Sequence, residues 1–290
     1  MNWSKAKTIL IIVFLIADIF LFYVTYTGDI SNNGIIGKNS MAQIIEHLEN
    51  QGILVKSFIP SKGNPSPLLY VKYKLLNKEE AKEIFFDLDD NIIVKENEQK
   101  ISMESSKILL EMLSNGDIFY LNKSLNNKDD GNIDEAQAQK NIDEFLKLLD
   151  IDQNDAIVVN KVIEDNSIII RYNQSYKNQF IDNTYLEIKT TNKGVAYVKM
   201  LWFESVKNGK TKNEVISPIK ALMKLSELYR QVERTVTVED ISQGYYFRFN
   251  IEQAFDVKSV EEGTAIPVWR IKTDLGNIYI NAYNGTVEEN

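Results

Sequence analysis

The sequence predicts an α+β fold carried behind a single N-terminal transmembrane helix, with mostly antiparallel sheets in two extracytoplasmic domains. Three observations predict it. The run from Thr8 to Tyr26 is apolar apart from Asp18. Beyond it, stretches of helical spacing alternate with strands joined by turns rich in Gly, Asn and Pro, the pattern of hairpin-built sheets rather than of parallel βαβ units. The composition, 44 % hydrophobic and 26 % charged over 290 residues, is that of a chain that folds, with length enough for two modest domains and a tether. The expected division is a cytoplasmic stub and anchor at 1–28, a linker at 29–39, a first domain at 40–130 and a second at 131–290.

The anchor follows from length and transfer energy. At 1.5 Å per residue a helix over Thr8–Tyr26 spans roughly 28 Å, about the thickness of the hydrocarbon layer. Its Leu, Ile, Val and Phe residues together favour insertion by about 6 kcal/mol, against roughly 3 kcal/mol for one central Asp. Lys5 and Lys7 precede the run and Trp3, Tyr23 and Tyr26 bracket it, which places the N-terminus in the cytoplasm and the body outside. A cleaved signal peptide is the alternative, but its apolar core is shorter, and "FYVTYTGD" offers no small-x-small cleavage site. On this helix Asp18 shares a face with Ile11, Phe14, Leu15, Leu21, Phe22 and Thr25. An intramembrane carboxyl either contacts a polar group of another helix or sits protonated in lipid, and the expectation here is the helix–helix contact.

Next in order, "GDISNNGIIGKN" (28–39) is the linker. "SMAQIIEHLENQGI" has Ser40 as a cap, apolar residues at Met41, Ile44, Ile45 and Leu48, and a closing Gly52, so it predicts a helix. "ILVKSFIP" and "PLLYVKYKLL" predict strands, "NKEEAKEIFF" a short helix or an irregular lead, and "NIIVKENEQKI" a strand. "SMESSKILLEMLSNG" predicts a helix ending at Gly116. The polar stretch 122–132 is the expected domain boundary. "IDEAQAQKNIDEFLKLLDI" is an amphipathic helix, and a dense β region runs from Ala156 to Val206 with a hairpin turn at Gly194. "SPIKALMKLSELYRQV" predicts a helix with Ser217 as N-cap and Pro218 at the first position. The closing segments predict strands, with turns at "DLGN" and "NGT".

Composition also excludes. There is no cysteine, hence no disulfide, thiolate metal site or cysteine nucleophile, and His47 is the one histidine, so no His-rich metal site can be assembled. His47, between Glu46 and Glu49, reads as a surface residue. The formal net charge is −8 with no basic stripe, which argues against nucleic-acid binding. "DLDDNIIVKENE" places Asp87, Asp89, Asn91 and Glu98 as in a calcium loop, but Ile92 stands where that loop needs Gly, so a solvated turn before a strand is expected. Ser217 and Lys220 form S-x-x-K without a K-T-G partner, and capping accounts for the serine. Neither a phosphate loop nor a G-x-S-x-G elbow is present. No catalytic residue, cofactor or metal is expected.

"MNWSKAKTILIIVFLIADIFLFY" is similar to the opening of the YycI family, with its entry Trp and one Asp near the middle of the apolar helix. "AIPVWRIKTDLGNIYINAYNGTVEE" resembles that family's closing hairpin, and "IIIRYNQSYKNQFI" its mid-chain segment with a Gln-x-Tyr/Phe before a hairpin. The resemblance implies a membrane-anchored accessory regulator, not an enzyme. It would associate, largely through transmembrane helices, with a WalK (YycG) sensor histidine kinase and a YycH-like protein in a two-component system of Gram-positive cell-wall homeostasis. It maps the family's membrane acid onto Asp18 and its entry Trp onto Trp3. Pro267, Trp269, Arg270, Tyr279, Asn281 and Gly285 fall in the C-terminal motif, as hairpin structure. Two rivals stay open: an anchored extracytoplasmic hydrolase of wall polymers, and a binding or inhibitor module, since the last hairpin also resembles the small PepSY fold.

Overall fold

The computed structural model describes residues 14, 15, 17, 18, 38–88, 90–125, 132–164, 166–230, 234–247 and 262–288. The described residues are mostly β, with few helices and mostly antiparallel pairing. Among the described residues no helix is long and apolar enough to cross a membrane. The expected span lies outside them except for Phe14, Leu15, Ala17 and Asp18, which are helical and exposed.

Helix α1 (Lys38–Asn50) turns Met41, Ile44, Ile45 and Leu48 to one side, where Leu48 is fully buried. Gly52 ends it at φ 77°, a left-handed conformation that costs other residues a Cβ clash. Strands β1 (Ile53–Val55) and β2 (Ser66–Tyr73) follow, and period-two alternation buries Leu69, Val71 and Tyr73. Helix α2 (Lys78–Phe85) opens with a capping box, in which the Asn77 side chain accepts the Glu80 N–H and Glu80 reaches back to the Asn77 N–H.

Strands β3 (Ile93–Glu96), β4 (Lys100–Glu104), β5 (Ile108–Leu113) and β6 (Ile118–Asn122) form an antiparallel meander. The helix expected over "SMESSKILLEMLSNG" is therefore two strands. Ser105 Oγ accepts the N–H groups of Lys107 and Ile108 and closes a turn where a helix would continue, and Ile108, Leu110 and Met112 are buried at period two. "ILLEML" satisfies both periods, and burial on the sheet decides between them.

Helix α3 (Glu135–Leu148), capped by Asp134, buries Ala138, Ile142, Phe145 and Leu146. After a 3-10 turn at Gln153–Asp155 come β7 (Ala156–Ile163), β8 (Ile168–Tyr176), β9 (Gln179–Thr191), β10 (Gly194–Leu201) and β11 (Phe203–Asn213). Gly194, at φ 138°, makes the expected turn between β9 and β10. Helix α4 (Pro218–Leu228) is capped as expected, with Ser217 Oγ accepting the Lys220 N–H at 3.3 Å. The chain closes with β12 (Val236–Phe247), β13 (Glu262–Thr273), β14 (Gly276–Asn281) and β15 (Val287–Glu288).

Packing separates two compact units that do not follow the expected division at 130/131. One comprises 1–65, 214–242 and 269–290, the other 66–213 and 243–268. The polar stretch 122–132 is no boundary: β6, which ends at Asn122, pairs with β10 in register Leu121↔Tyr197, so the chain before and after it shares one sheet. In the first unit α1 and α4 pack with β1 and the closing strands around Leu48, Leu222, Leu225, Trp269 and Ile280, and β1 pairs parallel with the start of β12. In the second unit α2 and α3 cover a sheet core that includes Met103, Leu110, Ile170 and Ile188, with Tyr120 ringed by Phe85 and Phe145 at 5.2 and 5.5 Å. A smaller cluster in the same unit stacks Tyr73, Phe203 and Phe247.

Candidate functional site

Of the residues expected to make the membrane contact, Trp3, Ile11, Leu21, Phe22 and Thr25 lie outside the described residues. Phe14, Leu15 and Asp18 are helical and exposed, the two apolar side chains at 62 % and 55 %. Phe14 and Asp18 are four residues apart, hence on one helix face.

The C-terminal motif is a clamp on the start of α4. Trp269 on β13 is fully buried, and its indole Nε1–H donates to the Ile216 carbonyl at 3.0 Å. The Ile216 N–H donates to the Ala282 carbonyl at 2.7 Å. The residue before the Ser217 cap is thus held through both backbone groups by the closing hairpin, which orients the helix that buries Leu222 and Leu225. Arg270 Nη2 donates to Ser242 Oγ at 3.3 Å, and Pro267 is buried on the same strand. Asn281 serves three roles at the final turn: Oδ1 accepts the Tyr283 N–H, Nδ2 donates to Glu288, and its carbonyl accepts the N–H of Gly285, which sits at φ 76°. Tyr279 is buried and faces Glu288 across the β14–β15 pair. Trp269 and Arg270 thus tie the hairpin to Ile216 and Ser242, and Asn281 shapes its final turn.

Gln174, in the mid-chain motif, is a residue whose role the sequence did not assign. Its buried side-chain amide mimics a strand neighbour: Nε2 donates to the Phe203 carbonyl and Oε1 accepts the Phe203 N–H, both at 2.9 Å. Its own N–H goes to Thr184 Oγ1 at 3.0 Å, across an irregularity where β8 and β9 lose register. The turn that follows has Lys177 and Asn178 at φ 51° and 64°, the signature of a two-residue type I′ hairpin. The Gln-x-Tyr pattern was legible; its partner, on another strand, was not.

In the calcium-like stretch, "IVKE" forms β3 and Asp90 closes a turn on Asp87, while Asp89 lies outside the described residues. Among the described residues no three His, Cys, Asp or Glu side chains are gathered to hold a metal. His47 is exposed beside Gln51.

The second unit carries concavities of its own. One, of about 360 Å³, holds Asp152, Asp155, Lys74 and Lys177. Burial, and then the neighbouring Asp152, push the Asp155 carboxyl up. Asp152 Oδ1 accepts the Asn154 N–H at 2.9 Å as cap of the 3-10 turn, which accounts for its position. Another, of about 320 Å³, is lined by Tyr73, Arg171, Asn173, Asp182, Tyr185 and Phe247 among others. There burial, and then the hydrogen bond that the Tyr185 hydroxyl donates to Asp117, push that phenol well above its ordinary range. Tyr197, donating to Glu187 at 2.8 Å, is pushed up to about 12, chiefly by burial.

The chain matches the family profile described as "YycI protein" over residues 31–283. No curated protein matches it. Among solved structures it is similar to an uncharacterized protein from Eubacterium rectale ATCC 33656, at 12 % identity and a TM-score of 0.49, covering 82 % of this chain and 91 % of that one. It is also similar to the Bacillus megaterium YpeB C-terminal domain, at 12 % identity and a TM-score of 0.40, covering 73 % and 93 %.

Proposed function

The chain belongs to the YycI family, and from that premise we propose that it is a membrane-anchored accessory regulator of a YycG/WalK-like sensor histidine kinase. Family membership supports a role in that two-component regulatory system. In the finer reading, one N-terminal helix holds the protein in the cell membrane, its N-terminus cytoplasmic and its body outside. It contacts the kinase and a YycH-like protein there and modulates signalling in cell-wall homeostasis.

The observation that carries the finer reading is the single acid of the apolar run, Asp18, one helical turn from an exposed Phe14. A carboxyl in hydrocarbon gains most from a polar group on a neighbouring helix. Such a contact biases a two-state kinase only if it is stronger in one kinase state than in the other. A difference of about 1 kcal/mol shifts that equilibrium about fivefold. The protein acts by contact, not by catalysis, and the C-terminal motif supports this reading because Trp269, Arg270 and Asn281 are engaged in structural hydrogen bonds.

The test is recovery of partners from membranes. The full chain and its Asp18→Leu variant are expected to insert equally, with the variant bringing down several-fold less kinase or YycH-like protein. Equal recovery at equal membrane content would remove the proposed contact.

A further inference from the structure

We propose that the concavity lined by Tyr73, Arg171, Asn173, Asp182, Tyr185 and Phe247 binds a small zwitterion of amino-acid size. Its carboxylate would be held by Arg171 and the Tyr73 hydroxyl, and its ammonium would lie beside Asp182. The proposal goes beyond the regulatory reading and does not depend on the membrane contact.

Tyr73 is the central observation. Its side chain is 1 % exposed, and among the described residues its hydroxyl has no hydrogen-bond partner. The ring is fixed against Phe203 at 5.3 Å and Phe247 at 5.5 Å. It also packs closely on the β5–β6 turn, where a Cβ at Gly116 would come within 2.9 Å of Tyr73 Cδ1. A buried hydroxyl without a partner is costly, and phenylalanine would fill the same space without that cost. Burial, and then the nearby Asp117 carboxylate, push this phenol far above its ordinary range, so at neutral pH it keeps its proton and is a donor.

Arg171 supplies the charge. It is exposed, its guanidinium lies 5.7 Å above the Tyr185 ring, and among the described residues it forms no ion pair. Arg171 and Asn173 are two apart on β8, hence on one face of the sheet. Asn173 is buried and donates to Asp182 Oδ1 at 3.4 Å, which holds that carboxylate at the same wall. A guanidinium and a phenolic donor together match a carboxylate. A bare anion would also face Asp182, and a ligand ammonium turns that repulsion into attraction. Leu201 and Phe247 give the lining, which also includes Asn115, Asn183 and Thr184, an apolar part that suits a short apolar side chain. The volume of about 320 Å³ is at the small end for ligand sites and holds a single amino acid.

The test is titration calorimetry on the full chain in detergent with three probes: leucine, 4-methylpentanoate (leucine without its amine) and isopentylamine (leucine without its carboxylate). Leucine is expected to bind at least about tenfold more tightly than either truncated probe. Arg171→Met and Tyr73→Phe are each expected to weaken leucine about tenfold. Tyr73→Phe serves as its own folding control, because removing an unpartnered hydroxyl leaves the ligand-free melting temperature unchanged or raised. Absence of leucine binding at millimolar concentration overturns the proposal. So does binding that both substitutions leave intact, or 4-methylpentanoate binding as tightly as leucine.

Discussion

Replacing Gln174 by Leu keeps the side-chain size but removes both hydrogen bonds that its amide makes to Phe203. Gln174 and Phe203 are 3 % and 2 % exposed, so water does not take over either bond. The substitution leaves the Phe203 N–H and C=O buried and unpaired, at about 1–3 kcal/mol each. Relief from burying a polar amide offsets part of this, and the net expected loss is about 2–4 kcal/mol. For a domain of this size that lowers the melting temperature by roughly 4–16 °C. Gln174→Glu sharpens the assay. An ionised carboxylate still accepts the Phe203 N–H but faces the Phe203 carbonyl as a second acceptor, so burial and that contact raise its folded pKa above the unfolded value. A group with a raised folded pKa contributes its stability below the unfolded pKa and loses it as pH rises through the folded one. Gln174→Glu should therefore be nearer wild type at pH 4 than at pH 7, whereas Gln174→Leu shows a deficit at both. Urea unfolding of the full chain in detergent, followed by tryptophan fluorescence, measures both. A Gln174→Leu midpoint within about 0.5 kcal/mol of wild type at pH 7 would refute the reasoning, because two orphaned groups cannot cost so little.

Two further outcomes are expected. Trp269→Phe removes the donor to Ile216 and part of a fully buried ring, and should cost about 2–4 kcal/mol in urea unfolding while partner recovery from the folded chain is unchanged. On the alkaline side, the Tyr197 phenol has a folded pKa of about 12 against an ordinary 10.0. Its contribution to stability is complete below 10.0, declines above that and is lost as pH passes 12. In Tyr197→Phe that part of the alkaline loss should vanish, as read by unfolding at stepped pH and by phenolate absorbance.

Signals confined to a few neighbouring residues were readable in the order of amino acids. Ser217 and Pro218 announced the start of α4, Gly52 announced the end of α1 and Gly194 a hairpin turn, and the spacing of Ala138, Ile142, Phe145 and Leu146 announced α3. Family membership was legible in short motifs at both ends and the middle, and the profile match over 31–283 bears it out. "ILLEML" marked the limit, because its apolar residues suit a helix and a strand alike. Ser105 turns the chain, and the sheet on either side settles the matter.

By itself, the sequence determined the local geometry of caps, turns and amphipathic faces, since these depend on backbone sterics and hydrogen bonds that close within one or two turns of chain. Tertiary structure alone decided which strands pair, and therefore how the units divide: 122–132 looked like a boundary by polarity, yet β6 and β10 join across it. It alone decided that Gln174 completes Phe203, that Trp269 holds Ile216, and that Tyr73 and Arg171 line one concavity. The physical reason is that pairing and burial are energies between residues distant along the chain, and they exist only once a common core has brought those residues together.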